Sequence, residues 1–336
     1  MFSNLKAMLA NLAGGLQRTE ASAREAAGHS AMNRLVLTDF TERTLLLQGS
    51  MAARELPRGQ PIGRLSDVEF RVFSQWGEDG IIEWLVGHLD LEDQRFVEFG
   101  VETFREANCR FLLHHRNWKG LVMDGSAANM ATLSASQSFW KHDLTAETAF
   151  VTAENIDDLL EEAGFTGPIG ILSIDVDGND YWIWKAVTSV SPAIVICEVN
   201  PVLGDTTPLT VPYEPHFDRF AAHHSGLCFG ASIAALKLLA EEKGYVFAGT
   251  GASGVNAFFL RRDLAQPVME LIVTPYAWPS QHRDSRDRDG RLTFVGGAAR
   301  GRLIADCSLV NPQTGERLRF GDVLEPYSSD WLRRMG

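Results

Sequence analysis

Runs of apolar, mostly β-branched residues recur along the middle of the chain, and each run stops at an acidic residue. Continuous apolar runs of this kind are typical of strands buried on both faces of a parallel sheet. Four are clear: Phe96–Gly100, Leu121–Gly125, Ile171–Gly178 and Ile194–Asn200. Open α/β sheets bind ligands beyond the carboxyl ends of their strands, so these acidic residues are expected to line one crevice. The crevice is the predicted functional site.

Composition divides the chain into three regions. Residues 1–65 are rich in Ala, Leu, Glu and Arg and predict a helical N-terminal extension. Residues 66–263 alternate strand and helix patterns, which predicts βαβ units and an α/β fold. Residues 264–336 predict a small C-terminal extension of loops with short hairpins, at Gly296–Gly297 and at Pro312–Gly315.

The first sixteen residues carry an apolar stripe at three- and four-residue steps, formed by Phe2, Leu5, Leu9, Leu12 and Leu16. This spacing predicts an amphipathic helix, whose apolar stretch is too broken for a signal peptide or a membrane span. We therefore expect no membrane span and a cytoplasmic location. The helical N-terminal region also suggests a homo-oligomer.

Charge and metal-ligand spacing exclude several classes of partner. The formal net charge is −12, which argues against nucleic acid because phosphate binding needs a basic surface. The four cysteines show no C-x-x-C spacing, and the histidines show neither H-x-x-x-H nor H-E-x-x-H. The sequence therefore predicts neither a disulfide framework nor a zinc site.

Acidic residues at the predicted strand ends suit a nucleotide. The first strand ends at Glu98, and Gly100 in the following turn lets the backbone approach a ligand closely. Asp124 ends the second strand about 26 residues later, near the ~20-residue offset at which an acid binds ribose hydroxyls. A third strand is predicted to end at His142–Thr145, where Asp143 either receives an exocyclic amine or forms an Asx-turn.

Four segments together resemble the FkbM-like branch of class I S-adenosylmethionine-dependent methyltransferases. They are Phe73–Glu102, Asn108–Leu113, Asn117–Leu121 and Ser173–Trp182, and the similarity extends over about Phe73 to Asp263. The resemblance implies a Rossmann-like, seven-stranded, mostly parallel sheet with helices on both faces and an antiparallel last strand. It also implies S-adenosylmethionine lying across the strand ends.

The resemblance assigns cofactor contacts by position, at Gln75, Glu98, Gly100, Glu102, Asn108, Asp124, Asp143 and Asp175. One position departs from the family pattern E/D-x-G-x-G, because Glu102 stands where the last glycine is usual. The loop must therefore run differently, or Glu102 must itself contact the ligand.

Methyl transfer from a sulfonium requires an aligned acceptor and, for a hydroxyl, a group that removes its proton. Asp177 is the first candidate base, and Glu198 and Asn200 could share that role or hold the acceptor. Asn200 could instead cap a turn. The same oxygen-rich set with Asp175 could hold Mg²⁺, whose preferred ligands are oxygens. The expected reaction is O-methylation of a small molecule or glycan, at a hydroxyl of a sugar, glycan or secondary metabolite.

Two other motifs leave alternatives open. Asp175-Val176-Asp177-Gly178 also resembles the D-x-D motifs of metal-dependent phosphatases and glycosyltransferases. Gly249–Gly254 matches G-x-G-x-x-G, but strand-like residues follow it, which favours a hairpin over a dinucleotide site. A non-catalytic binding module on the same fold is a further alternative.

Overall fold

A computed structural model describes residues 27–30, 32–33 and 36–335. The amphipathic helix predicted for the first sixteen residues lies outside the described residues. Two compact units can be distinguished, Met1–Gly49 and Ser50–Gly336. In the first unit the described residues are helical and include helix α1 at residues 36–49.

The second unit begins with helical residues 50–55 and then alternates strands with helices. Its helices are α2 (Glu78–His88), α3 (Arg110–Arg116), α4 (Ala127–Ser134), α5 (Gln137–Lys141), α6 (Ile156–Glu162), α7 (Asp180–Ala186), α8 (Arg219–Ala222), α9 (Ile233–Glu242), α10 (Gln266–Met269), α11 (Ala299–Leu303) and α12 (Ser329–Met335). Single 3-10 turns occur at Leu65–Val68, Pro201–Leu203 and Phe320–Asp322.

Seven strands form the central sheet, in the order β3-β2-β1-β4-β5-β7-β6. They are β1 (Arg95–Phe99), β2 (Lys119–Asp124), β3 (Leu144–Thr148), β4 (Gly167–Ile174), β5 (Val190–Glu198), β6 (Tyr245–Thr250) and β7 (Asn256–Arg261). Strands β1 to β5 pair in parallel, whereas β7 is antiparallel to both β5 and β6. The predicted fold class is confirmed.

Apolar side chains on both faces hold the sheet between two layers of core. Val97 and Phe99 of β1 pack into one layer, and Phe96, which precedes Val97, packs into the other. All three are essentially inaccessible to solvent. Successive side chains of a strand point to opposite faces, and both faces of this sheet are buried, so the strands appear in the sequence as unbroken apolar runs.

The third predicted strand end is wrong. Strand β3 begins at Leu144 and runs to Thr148, so Asp143 precedes the strand instead of ending it. It lies at the edge of the sheet opposite to the crevice, where its Oδ2 is 3.7 Å from Nζ of Lys119. Because parallel strands present all their carboxyl ends at one edge, Asp143 cannot share a crevice with Asp124 in this register.

The hairpin predictions have mixed outcomes. Gly249–Gly254 spans the turn between β6 and β7, which confirms the hairpin interpretation. Pro312–Gly315 lies in the hairpin joining β8 (Ser308–Val310) to β9 (Arg317–Arg319). At Gly296–Gly297 the described residues form no strand pair, and the expectation of a hairpin there is wrong.

Among the described residues, no helix is both long enough and apolar enough to cross a membrane.

Candidate active site at the strand ends

Two adjoining cavities open at the carboxyl ends of the strands. One, which we name the β2 cavity, has a volume of about 320 Å³ and is bounded by the end of β2 and the residues after β3. The other, the β5 cavity, has a volume of about 300 Å³ and extends from the end of β1 to the end of β5. Four residues line both: Gly100, Glu102, Asp175 and Asp177. The predicted crevice is therefore present, and it is divided into two parts.

The turn after β1 is pressed against the end of β4 at Gly100. Its φ is +71°, and an added Cβ would lie 1.7 Å from the carbonyl oxygen of Asp175. Its N–H donates to the carbonyl of Met123 on β2, at 3.0 Å. Only glycine permits this approach, so the residue fixes the boundary between the two cavities.

Glu102, where the family pattern has glycine, keeps a glycine-like backbone. Its φ is +48°, which is unusual for a residue with a side chain. The Glu102 N–H donates to Oδ2 of Asp124 at 2.8 Å, and this bond holds the left-handed conformation. The loop thus follows a glycine-like course, and the exposed Glu102 side chain stands at the wall of both cavities.

Asp124 joins the loops that follow β1 and β2. Besides the Glu102 N–H, it accepts hydrogen bonds at Oδ1 from the Ser126 N–H (2.8 Å) and from Nδ2 of Asn129 (3.3 Å). A carboxylate offers about four lone pairs, so these three donors leave capacity for a ligand hydroxyl. Asp124 lines the β2 cavity, which agrees with its predicted place beside a ligand.

Phe150 is a site residue that sequence reasoning missed. It follows β3, lines the β2 cavity and exposes 53% of its surface although its ring is large and apolar. Its ring would be 3.3 Å from a Cβ added to Gly125. The one signal in the sequence was an aromatic residue just beyond a strand, and the wrong end predicted for β3 concealed it.

Glu98 anchors the start of helix α3. Its buried carboxylate accepts the backbone N–H groups of Asn108 (2.6 Å) and Cys109 (3.0 Å). Burial raises the pKa of Glu98 to about 7, and the two hydrogen bonds oppose this rise. The Asn108 side chain donates to Oγ of Ser173 at 3.1 Å. Glu98 and Asn108 line the β5 cavity together with the exposed side chain of Gln75.

Three carboxylates gather where β4 and β5 end. Oxygen atoms of Asp175, Asp180 and Glu198 lie within 4.8 Å of one another. Burial raises the pKa of Asp175 and of Glu198 well above the usual values, and repulsion among the three acids adds to the rise. For Asp180 burial raises the pKa to about 6, against hydrogen bonds from the N–H groups of Val176 and Gly178.

Unlike Asp180, whose two oxygens each accept an N–H, Glu198 has a buried oxygen with no partner in the part of the chain that the structure describes. Its Oε2 is buried and accepts no hydrogen bond from any described residue. An unsatisfied buried acceptor is costly, and such atoms in native structures commonly mark a ligand or a catalytic role. Of the three predicted catalytic residues, Glu198 is therefore the one whose geometry suits proton transfer.

Asp177, the first candidate base, is held in an ion pair. Its φ is +56°, and its Oδ1 accepts from Nη1 of Arg219 at 2.7 Å. The same guanidinium reaches Asp284 at 3.2 Å and the Gly226 carbonyl at 2.8 Å, and it lies 4.1 Å from the ring centroid of Phe229. Asp177 thus fastens the segment that carries Arg219, which sequence reasoning did not identify.

Asn200 is engaged by the backbone around it. Its Nδ2 donates to the carbonyls of Leu227 and Phe229, each at 2.8 Å, and its Oδ1 accepts from the Val202 N–H at 3.0 Å. The side chain is fully buried. This geometry favours the capping alternative, in which Asn200 holds the wall of the β5 cavity.

The oxygen set proposed for Mg²⁺ is not assembled. Asp177 points to Arg219, and the Asn200 oxygen is occupied by the Val202 N–H. Asp180 replaces them beside Asp175 and Glu198, but each of its oxygens already accepts a backbone N–H. The residues present therefore do not fit the predicted magnesium site.

Residues from the C-terminal part of the chain complete the β5 cavity. Buried Arg300 donates to the carbonyls of His282 (2.7 Å) and Ser280 (2.6 Å) and so fixes that segment at the cavity. His282 meets the ring of Trp76 edge-on, at 4.8 Å between centroids. The Trp76 Nε1–H is buried and has no acceptor among the described residues. No sequence pattern marked these residues as parts of a site.

The chain has the arrangement expected of class I S-adenosylmethionine-dependent methyltransferases. It has a parallel sheet with β7 antiparallel beside it, a glycine turn after β1, an acid at the end of β2 and acids after β4. The profile of the Methyltransferase FkbM domain matches residues 69–245, more than half of the chain. The chain belongs to this family. The phosphatase and glycosyltransferase alternatives have no comparable support.

Solved structures similar to this one include two methyltransferases and a domain with SAH bound. The CurJ carbon methyltransferase shares 13% identity, and the match has a TM-score of 0.34 and covers 55% of this chain and 52% of CurJ. The N-terminal domain of EvdMO1 with SAH bound shares 12% identity, with a TM-score of 0.32 and coverage of 50% and 73%. An O-methyltransferase from Bacillus cereus in complex with SAH shares 13%, with a TM-score of 0.33 and coverage of 66% and 89%.

The chain thus spans about half the length of CurJ. The TM-scores are all below 0.5, so these similarities carry no argument about fold or function. A comparison with curated proteins gives no match.

Proposed function

We propose that this protein transfers a methyl group from S-adenosylmethionine to a hydroxyl oxygen of a sugar, glycan or secondary metabolite. The observation that carries the proposal is the buried, unpartnered Oε2 of Glu198 in the β5 cavity, next to the wall shared with the β2 cavity. An acceptor hydroxyl bound there would find a carboxylate of raised pKa to receive its proton.

The β2 cavity suits the adenosyl part of the cofactor. Asp124 offers a carboxylate for ribose hydroxyls, and Phe150 offers an exposed ring against which adenine can stack. Gly100 and Glu102 stand between this cavity and the β5 cavity, where the methionine part would continue along Glu98, Gln75 and Asn108. When bound, S-adenosylmethionine supplies an electrophilic methyl group.

The acids of the two cavities also support placing the positively charged sulfonium of the cofactor near their shared wall. Asp175 lines both cavities, and Glu198 lies within reach of it. A cationic sulfonium near these acids would favour their ionised forms, which counteracts the rise in pKa caused by burial. Glu198 would then be ionised when the cofactor is present and could accept the hydroxyl proton.

A hydroxyl acceptor also matches the unpartnered groups of the β5 cavity. A hydroxyl both donates and accepts hydrogen bonds. Glu198 presents a free acceptor and Trp76 a free donor. The Trp76 ring, which lines the same cavity, can pack against the apolar face of a sugar. In this arrangement Glu198 is the base, while Asp177, through Arg219, and Asn200 hold the wall.

Incubation of the full chain with S-adenosylmethionine labelled in its methyl group tests the proposal. Candidate acceptors are neutral monosaccharides, oligosaccharides and hydroxylated metabolites, and the product is examined by mass spectrometry and NMR. We expect a new methyl ether that is absent with Glu198→Gln. A methyl group on carbon would contradict O-transfer. Binding of S-adenosylhomocysteine without turnover on any acceptor would favour a binding module.

The division of the chain is also part of the proposal. We take 66–263 as the methyltransferase domain, with 1–65 and 264–336 as extensions, the latter contributing His282 and Arg300 to the β5 cavity. We propose that the N-terminal helices mediate a homo-oligomer. Light scattering on the full chain and on a variant lacking residues 1–49 tests this, and an unchanged mass would contradict it.

A further inference from the structure

Outside the cavities, three residues of different chemistry meet between the end of helix α8 and the turn after helix α11. They are His223, Asp306 and Cys307, and their potential ligand atoms all lie within 4.8 Å of one another. Nε2 of His223 and Oδ1 of Asp306 are 3.6 Å apart. His223 is far in sequence from the adjacent pair Asp306 and Cys307, which explains why no metal-ligand spacing was visible there.

An imidazole nitrogen, a carboxylate oxygen and a thiolate sulfur form a ligand set that suits zinc. Zinc binds these atoms at about 2.0–2.3 Å in tetrahedral geometry, so neighbouring ligand atoms are about 3.3–3.6 Å apart. The Nε2–Oδ1 distance already has this value. A contraction of about 1.2–1.5 Å at most, from the 4.8 Å limit to these distances, would bring the sulfur into place.

The histidine ring is oriented by a second contact. Nδ1 of His223 lies 2.7 Å from Oγ of Ser225, a buried residue whose hydroxyl also accepts the Leu227 N–H at 3.2 Å. This leaves Nε2 directed toward Asp306. The Ser225 N–H also lies 3.3 Å from Nδ1, so binding of an ion at Nε2 requires the ring proton to move to Nδ1, which then donates to the Ser225 hydroxyl as metal-binding histidines usually donate from their other ring nitrogen.

Burial differs among the three residues in a way that suits ion entry. The Asp306 side chain is 78% exposed, the His223 side chain is 10% exposed and Cys307 is buried. An ion can therefore reach the group from solvent past Asp306 and bind the thiolate beneath. Cys228, also buried, is a neighbour of the Cys307 thiol.

We propose that His223, Asp306 and Cys307 bind a zinc ion that joins the wall of the β5 cavity to the C-terminal part of the chain. Binding replaces the thiol proton of Cys307, which leaves to solvent, with a Zn–S bond. The segment so fastened carries Leu227 and Phe229, which line the cavity. The site is separate from the methyl-transfer chemistry and does not depend on the proposed function.

Cobalt(II) is the probe that tests this site, because a cobalt–thiolate bond gives a charge-transfer absorption that carboxylates cannot produce. The tag-free full chain is titrated with Co²⁺ and then with Zn²⁺. We expect a thiolate band that saturates at a single ion per chain and disappears when Zn²⁺ displaces the cobalt. Zn²⁺ should also raise Tm by about 5 °C at a hundredfold excess over its Kd.

Variants locate the ion. Cys307→Ser should abolish the thiolate band, and Asp306→Asn should weaken Co²⁺ binding about tenfold or more. His216→Ala, which alters an exposed histidine of the same segment, should bind Co²⁺ as the wild type does. Since Asp306 is exposed, its variant remains informative even where Cys307→Ser fails to fold.

Two results would overturn the proposal. One is the absence of a thiolate band at saturating Co²⁺ in protein whose circular dichroism shows it folded. The other is Co²⁺ binding that persists unchanged in Asp306→Asn and Cys307→Ser, which would place the ion elsewhere, for example at the acidic group of Asp175.

Discussion

Each of the two cavities contains an acid at or just beyond the end of a parallel strand, but the two acids differ in the hydrogen bonds that they accept. In the β2 cavity Asp124 accepts hydrogen bonds from three N–H donors. In the β5 cavity Glu198 has an oxygen with no donor among the described residues, and its pKa is raised well above the usual value. The number of N–H donors thus separates a carboxylate that holds loops from one available for proton transfer.

The largest expected effect is on turnover. Glu198→Gln should lower the rate of methyl transfer by roughly 10²–10⁴, because the hydroxyl loses its proton acceptor. Affinity for S-adenosylhomocysteine, measured by titration calorimetry, should stay within about threefold of the wild type. Glu147→Gln, at an exposed acid on β3 outside both cavities, is the control. A Glu198→Gln enzyme with more than about a tenth of wild-type activity would contradict the assignment of the base.

The boundary between the cavities can be broken at Gly100. Gly100→Ala should lower the free energy of unfolding by about 3 kcal/mol, since the methyl group meets the Asp175 carbonyl and the left-handed backbone is strained as well. Gly164→Ala is the matched control, because Gly164 has a similar φ of +74° with no atom within 4 Å of an added Cβ. Urea unfolding measures both, and equal losses would show that the close approach is absent.

Two conservative substitutions test whether accepted hydrogen bonds distinguish an acid of the β2 cavity from an acid that accepts none. Asp124→Asn should lower the free energy of unfolding by about 2 kcal/mol, because one carboxylate acceptor becomes a donor facing N–H groups. Asp175→Asn should cost little, since the Asp175 carboxylate accepts no hydrogen bond from the described residues and its pKa is raised. The distinction fails if the two variants unfold at the same urea concentration.

Arg219 gives a smaller effect. Arg219→Ala should raise KM for the acceptor several-fold, about 1 kcal/mol, with a smaller change in kcat, because Asp177 and Asp284 lose their shared partner and the wall loosens. Arg219→Lys should rescue only part of the loss, since an ammonium cannot bridge both acids as a fork does. Steady-state kinetics with the identified acceptor decides, and an unchanged KM would contradict the wall-holding role.

The fold could be predicted because the strands are buried on both faces. Runs such as Phe96–Gly100 and Ile171–Gly178 are long, apolar and end on acids, so they reveal both the strands and the functional edge of the sheet. The short strand β3 was misplaced because its burial pattern fades toward Thr148 and two of its five residues are exposed. Asp143 was consequently placed at the wrong edge.

Roles within the site were harder to predict than positions. Asp177 and Glu198 look alike in the sequence, and only tertiary contact shows that one meets Arg219 while the other lacks a partner. Trp76 and Arg300 reach the β5 cavity from regions without a strand-end pattern. Their places depend on how loops pack, which local periodicity does not encode.

The most direct test of the central claim needs no acceptor. It is the Tm of the wild type and of Glu198→Gln between pH 5 and 9. Because the folded-state pKa of Glu198 is raised above its ordinary value of 4.5, the native protein favours the protonated form, and stability is lost as the pH rises through the folded pKa. We predict that Glu198→Gln melts at a higher temperature than the wild type at high pH and that this gain vanishes toward pH 5. A variant that melts lower than the wild type by the same amount at every pH would show that Glu198 is satisfied by its surroundings, and the account would be wrong.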